Sequence, residues 1–118
     1  MTRRTDRVGD LIRAELNQLI ARDVADPRVR LASVTGVDVS PDLRHAVVSV
    51  SVLGDDAGRT PAVEALQGAS GYLRSRLAKT LRLRNVPELH FELDRGAEHS
   101  QRISDLLESL HVDDDESP

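Results

Sequence analysis

At 118 residues the chain is long enough for one domain with a real core and too short for two. It has no cysteine, which excludes disulfides, thiol nucleophiles and zinc–thiolate sites, and its 2% aromatic content leaves the core to Val, Leu, Ile and Ala. The net charge of −4 comes wholly from Asp113, Asp114, Asp115 and Glu116, because the remaining acidic residues equal the 16 basic ones in number.

The first predicted element is a helix over about 6–25, where Val8, Leu11, Ile12, Leu16, Leu19 and Ile20 recur at three- and four-residue steps. Thr5 or Asp6 is its expected cap, and Asp26-Pro27-Arg28 its end, since proline disfavours helical geometry in the residue before it. Val37 and Val39 then alternate with polar residues in one phase, while Ala32 and Val34 hold the other. The shift at Thr35-Gly36 predicts a bulged strand. Ser40-Pro41-Asp42-Leu43-Arg44 reads as a turn into a second strand, Ala46 to Val52, paired antiparallel with the first.

Thr60-Pro61 suggests an N-cap followed by a proline at the first helical position. A short helix with Ala62, Val63, Ala65, Leu66 and Ala69 runs from there into Gly68-Ala69-Ser70-Gly71, and a third helix leaves at about Tyr72. Leu89, Phe91 and Leu93 mark a third strand. Ser100 opens a short last helix with Ile103, Leu106, Leu107 and Leu110 turned inward. The order α-β-β-α-α-β plus a terminal helix predicts an α+β domain, a three-stranded sheet covered on one face by helices. Residues 1–112 form this single domain, and 113–118 read as an acidic, disordered tail.

No apolar run reaches membrane-span length, and Met1-Thr2-Arg3-Arg4-Thr5-Asp6 lacks the hydrophobic region of a signal peptide. The expected location is therefore cytoplasmic, with no membrane partner. Catalysis finds no support either. His45, His90, His99 and His111 are scattered without a metal-ligand spacing, and no nucleophile elbow or Walker-type loop is present. His45 reads as a turn residue that is exposed or paired with Asp42, and His90 as solvated between Glu88 and Glu92. The expectation is a non-enzyme with no metal, no cofactor and no small-molecule substrate.

One segment has a clear chemical bias. From Ala65 to Pro87 there is no acidic residue, yet Arg74, Arg76, Lys79, Arg82 and Arg84 all fall there. On an ideal helix Leu73, Leu77 and Leu81 form one stripe, with Arg76, Lys79 and Arg82 on the opposite side. Small residues that admit close approach, followed by a one-sided basic helix, suit a phosphate backbone. Ser70 adds a hydroxyl at the helix start, with ordinary capping as its competing role. Gly68 and Gly71 match the bare G-x-x-G of KH domains, although Ala69 and Ser70 between them carry no charge. A solvated basic face remains the plain competing reading.

Longer strings are more specific. Arg7-Val8-Gly9-Asp10-Leu11-Ile12-Arg13, Asp26-Pro27-Arg28-Val29 and Ser40-Pro41-Asp42-Leu43-Arg44-His45-Ala46 are three of them. With Ala69-Ser70-Gly71-Tyr72-Leu73-Arg74 and Leu81-Arg82-Leu83-Arg84-Asn85-Val86-Pro87-Glu88-Leu89, the sequence resembles the ribosome-binding factor A family of bacterial small-subunit maturation factors. The resemblance implies a type II KH-like domain in which an Ala-x-Gly kink, here Ala69-Ser70-Gly71, replaces the G-x-x-G loop. It implies binding to the free 30S subunit and 16S ribosomal RNA, late subunit maturation with 5′-end processing, importance in the cold, and no catalytic activity. The RNA-facing residues it implies are Ala69, Ser70, Gly71, Arg74, Arg76, Lys79, Arg82 and Arg84, with Arg3, Arg4 and Arg7 as further electrostatic contributors. A monomer is expected. The alternatives are a protein-interaction module that docks through its last helix, Ile103 to Leu110, and the acidic tail, or through a sheet edge, and a KH reader of single-stranded RNA. The second is disfavoured by the shortage of aromatic stacking platforms.

Overall fold

The computed structural model describes residues 3–54, 56–96 and 99–115. Helix α1 spans Arg3–Asp23 and starts earlier than its apolar period predicts. Thr5 therefore lies inside the helix, buried, and Asp6 falls in its first turn; neither is the terminal cap expected from sequence. Ile12, Leu16 and Leu19 are fully buried on one side, each contributing about 1.5–3 kcal/mol of burial free energy. Gly9 shares that side. A Cβ there would collide with the Val37 carbonyl, so glycine is what lets α1 lie directly on the sheet. After α1, Asp26 caps a single 3-10 turn, Pro27–Val29, by accepting from the Arg28 backbone N–H at 2.9 Å.

Strands β1 (Ala32–Val39) and β2 (His45–Val52) pair antiparallel, with the predicted bulge between Val34 and Gly36. The extra residue returns Val34, Val37 and Val39 to the same side, opposite Val50, Val48 and Ala46. In the connecting turn the Ser40 hydroxyl and Asp42 carboxylate lie 2.6 Å apart. Asp42 also accepts from the Arg44 N–H at 3.1 Å, while Leu43 takes a left-handed conformation, φ 62°.

Helix α2 runs Asp56–Gly68 and begins before Thr60, so the predicted cap is wrong and Pro61 sits within the helix. The ring removes one backbone donor, a loss offset by buried Ala62, Ala65 and Leu66 on the core side. Helix α3 (Ser70–Leu81) follows after a single residue. Strand β3 (Glu88–Leu93) pairs parallel with β2, giving the order β1-β2-β3.

α1, α2 and α3 cover one face, where Leu66, Leu73, Leu77, Leu89 and Phe91 join the main core. Helix α4 (His99–Asp115), predicted only as a short terminal helix, packs on the opposite face, where Ile103 and Leu107 close over Val47. Alternation puts Val47 on that face while its neighbours enter the main core, so each face of the short sheet receives its own cover. Ser100 lies inside α4 rather than at its cap, and the helix runs into the acidic stretch as far as Asp115; the rest of the expected tail, 116–118, lies outside the described residues.

Both edge strands are capped in the same way. Asn17 of α1 donates its side-chain amide to the Val34 carbonyl at 3.1 Å and accepts from the Val34 N–H at 2.8 Å. Gln67 of α2 does likewise on β3, donating to Leu89 at 3.0 Å and accepting from Phe91 at 2.9 Å. On each edge strand the amide thus occupies one outward-facing N–H and one carbonyl that could otherwise pair with a further strand.

Candidate nucleic-acid interface

The hinge is tighter than a four-residue loop. Ala69 alone separates α2 from α3, at φ −90° and ψ 2°. Its N–H is shared between the Ala65 and Leu66 carbonyls, each at 3.1 Å, and its own carbonyl accepts from Leu73 at 3.0 Å. The main chain therefore bends at Ala69 with that residue's own N–H and carbonyl both bonded. Ala69 occupies the cap position and no side chain caps α3, so the capping role that competes for Ser70 is not played. Gly71 is exposed, and a Cβ at Gly68 or Gly71 would meet nothing within 4 Å. The outer surface of the kink is open to close approach.

Helix α3 buries Leu73 and Leu77, with Leu81 half-buried, which turns its basic side away from the core. Those basic residues have different neighbours. Arg76 faces Asp23 of α1, with Nε 3.9 Å from the carboxylate, too far for a hydrogen bond. That Nε is buried with no hydrogen-bond partner. Asp23 accepts instead from the Tyr72 hydroxyl at 2.9 Å and from Arg22 at 3.1 Å. The Tyr72 hydrogen bond and then Arg22 hold the Asp23 carboxyl below its usual range, with Arg76 a smaller influence; the Tyr72 phenol is raised by the same bond. Lys79 is exposed. Arg82 ends α3 in the left-handed region, φ 53°, and so leaves the regular face predicted for it.

Arg74 reaches across to the segment before β3, donating to the Pro87 carbonyl at 3.1 Å and to Val86 at 2.9 Å. It fixes that segment against α3. The same segment forms one wall of a cleft lined by Arg4, Arg44, Arg74 and Arg84, with Asp42, His45 and Glu88 among them. Four guanidinium groups from the start of α1, the β1–β2 turn, α3 and the segment after it thus meet two carboxylates. That excess of fixed positive charge favours a polyanion. Arg4, Arg74 and Arg84 were candidates from sequence. Arg44 is not among the sequence candidates: it stands in the Ser-Pro-Asp-Leu-Arg-His string, where the pattern marks only a turn, and nothing in its local spacing points to α1 or α3. Arg3 begins α1, and Arg7 is exposed one turn on.

The histidines also depart from expectation. His45 is buried at the start of β2, not exposed in the turn, and its Nδ1 lies 3.1 Å from His90 Nε2. The parallel register sets Glu88 opposite His45 and His90 two residues further, on the same face.

Fold and site define a class: a small α+β domain of type II KH-like pattern, in which a one-residue kink between helices stands where a glycine loop would clamp nucleotides, beside an arginine-lined cleft. The sequence profile of the family described as Ribosome-binding factor A matches residues 4–107. The chain belongs to the ribosome-binding factor A family. It is 45% identical to ribosome-binding factor A of Thermomicrobium roseum, over 91% of this chain and 83% of that protein. It is 46% identical to that of Syntrophomonas wolfei, over 92% and 90% of the respective chains. Among solved structures it resembles the Thermus thermophilus factor with a TM-score of 0.66 at 28% identity, covering 75% of this chain and 94% of that one. A Thermus thermophilus homology model fitted into a cryo-EM map of a 30S–ribosome-binding factor A complex matches with a TM-score of 0.56 at 30% identity, covering 73% and 94%. None of the described helices is long and apolar enough to cross a membrane.

Proposed function

We propose that this protein is a cytoplasmic ribosome assembly factor that binds the free 30S subunit through 16S ribosomal RNA and promotes its late maturation, including 5′-end processing. The observation that carries the reading is the arginine cleft beside an open helix kink, in a chain whose Thermus thermophilus relative has been placed in a map of a 30S complex. The protein acts by binding alone, as a monomer. Affinity for one RNA conformation over another biases maturation toward the first, with no bond made or broken. Phosphates lie along the kink at Ala69, Ser70 and Gly71, the exposed side of α3, and the cleft. Arg76, Lys79, Arg82 and Arg84 supply charge there, with Arg4, Arg7 and Arg44 from the neighbouring elements. Arg74 holds the wall of the cleft as well as facing it. The competing reading, docking of a partner on a sheet edge or the last helix, is weakened by an amide bonded to the backbone of each edge strand and by α4 already seated on Val47.

Co-sedimentation with purified small subunits, large subunits and assembled ribosomes tests the proposal. Wild type is run beside Arg76→Glu/Lys79→Glu/Arg82→Glu and beside Arg44→Ala/Arg84→Ala, each checked for folding by circular dichroism. The wild type pellets only with free small subunits, and affinity falls steeply with added salt, with a log–log slope of about −0.7 to −0.9 per phosphate neutralised. Both variants bind more weakly. Selective binding that neither variant weakens relocates the site, and no binding by the folded wild type overturns the proposal.

A further inference from the structure

We infer that His45, His90 and Glu88 form a binding site for one divalent transition-metal ion of the zinc class. Nothing in the separate sequence positions announces the cluster; the parallel pairing of β2 with β3 creates it. His45 and Glu88 are register partners, and His90 follows on the same face opposite Val47. His45 Nδ1 lies 3.1 Å from His90 Nε2 and 3.7 Å from Glu88 Oε2, and the three donor atoms fall within 4.8 Å of one another. In a tetrahedral zinc site with bonds of about 2.0–2.2 Å, neighbouring ligand atoms stand roughly 3.3–3.5 Å apart. The two separations from His45 bracket that edge and the third stays within 4.8 Å, so an ion displaced from the nitrogen–nitrogen line toward Glu88 reaches all three after side-chain rotation. Two neutral imidazoles and one carboxylate are also the donor set that suits zinc, and they leave a fourth position for water.

Burial is graded in the useful direction. The His45 side chain is 8% exposed and held by the strand, whereas that of Glu88 is 59% exposed and provides the entry path. The contact between the two ring nitrogens is one that a bound cation replaces. Arg4, Arg44, Arg74 and Arg84 line the same cleft as His45 and Glu88. Their field opposes a dication and lowers its affinity for the site. This inference does not depend on RNA binding.

The test uses untagged full-length protein stripped with a chelator. Zinc chloride is titrated by calorimetry, and cobalt(II) chloride serves as the optical probe of tetrahedral coordination. One ion per chain is expected, with tetrahedral cobalt absorption and a Tm that rises with zinc concentration. His90→Gln and Glu88→Gln, the latter at an exposed position that leaves the core intact, each lower zinc affinity by at least ~10-fold and abolish the zinc-dependent rise in Tm. Failure of the folded wild type to bind at ~100 µM zinc, a concentration well above a micromolar dissociation constant, overturns the site. So does binding that survives both substitutions, or that is lost only on replacing His99 or His111.

Discussion

Replacing Gly9 by alanine perturbs the contact on which the whole helical layer rests. In an isolated helix the change favours folding by about 1 kcal/mol. Here the added methyl meets the Val37 carbonyl at less than the 3.0 Å that real Cβ contacts respect, and the obstacle is strand backbone rather than a flexible side-chain end. Helix α1 must lift from β1, loosening Ile12 and Leu16 on the same side, both fully buried. Overpacking of this kind costs about 1–3 kcal/mol. Because the obstructing atom cannot rotate away, we place the gross cost at the upper end of that range and the net loss at about 1–2 kcal/mol after the propensity gain. For a domain of this length that lowers Tm by roughly 4–8 °C. Urea unfolding and a thermal melt, each followed by circular dichroism, read the effect. Gly71→Ala is the control, since a Cβ there meets nothing within 4 Å and the residue lies inside α3. It leaves stability unchanged or raises it by about 0.4–1 kcal/mol. A Tm for Gly9→Ala equal to or above wild type refutes the argument that close approach of α1 requires glycine.

Asp23→Asn removes the carboxylate that faces Arg76 while keeping an acceptor for Tyr72, so binding to small subunits tightens and the salt slope steepens by up to about 0.9; affinities measured at four salt concentrations that are unchanged or lower contradict a role for Arg76 at the interface. Acid unfolding carries a second signature. Hydrogen bonds from the Arg28 guanidinium and then the Arg28 backbone lower the Asp26 carboxyl to about 2, against an ordinary 3.8. A depressed folded-state value means the stabilisation is complete above the unfolded value and is lost as pH falls from about 3.8 through about 2. Asp26→Asn should therefore flatten the stability–pH curve in that window and nowhere else, which urea midpoints taken between pH 2 and 6 decide.

The bulge at Thr35-Gly36, the antiparallel β1–β2 pair, the leucine stripe of α3 and the helix–kink–helix order were legible because each is written in local periodicity. Element starts were less legible. The first helix begins before Thr5, which is itself buried, and the second before Thr60, since residues that favour a cap position also occur inside helices.

What the sequence determined by itself was the alternation of apolar residues, the acid-free basic segment and the strings that place the chain in its family. These are properties of neighbours along the chain, and periods of two and near four turn them into faces. The tertiary structure alone decided which charges meet. It set Asp23 against Arg76, committed Arg74 to the Val86 and Pro87 carbonyls, and gathered Arg4, Arg44, Arg74 and Arg84 into one cleft. It also brought His45 to His90 across 45 residues of chain. The physical reason is common to all of these. A parallel crossover and a bent helix pair join residues that no short-range rule relates, and the free energy that joins them comes from the buried leucines and valines between them.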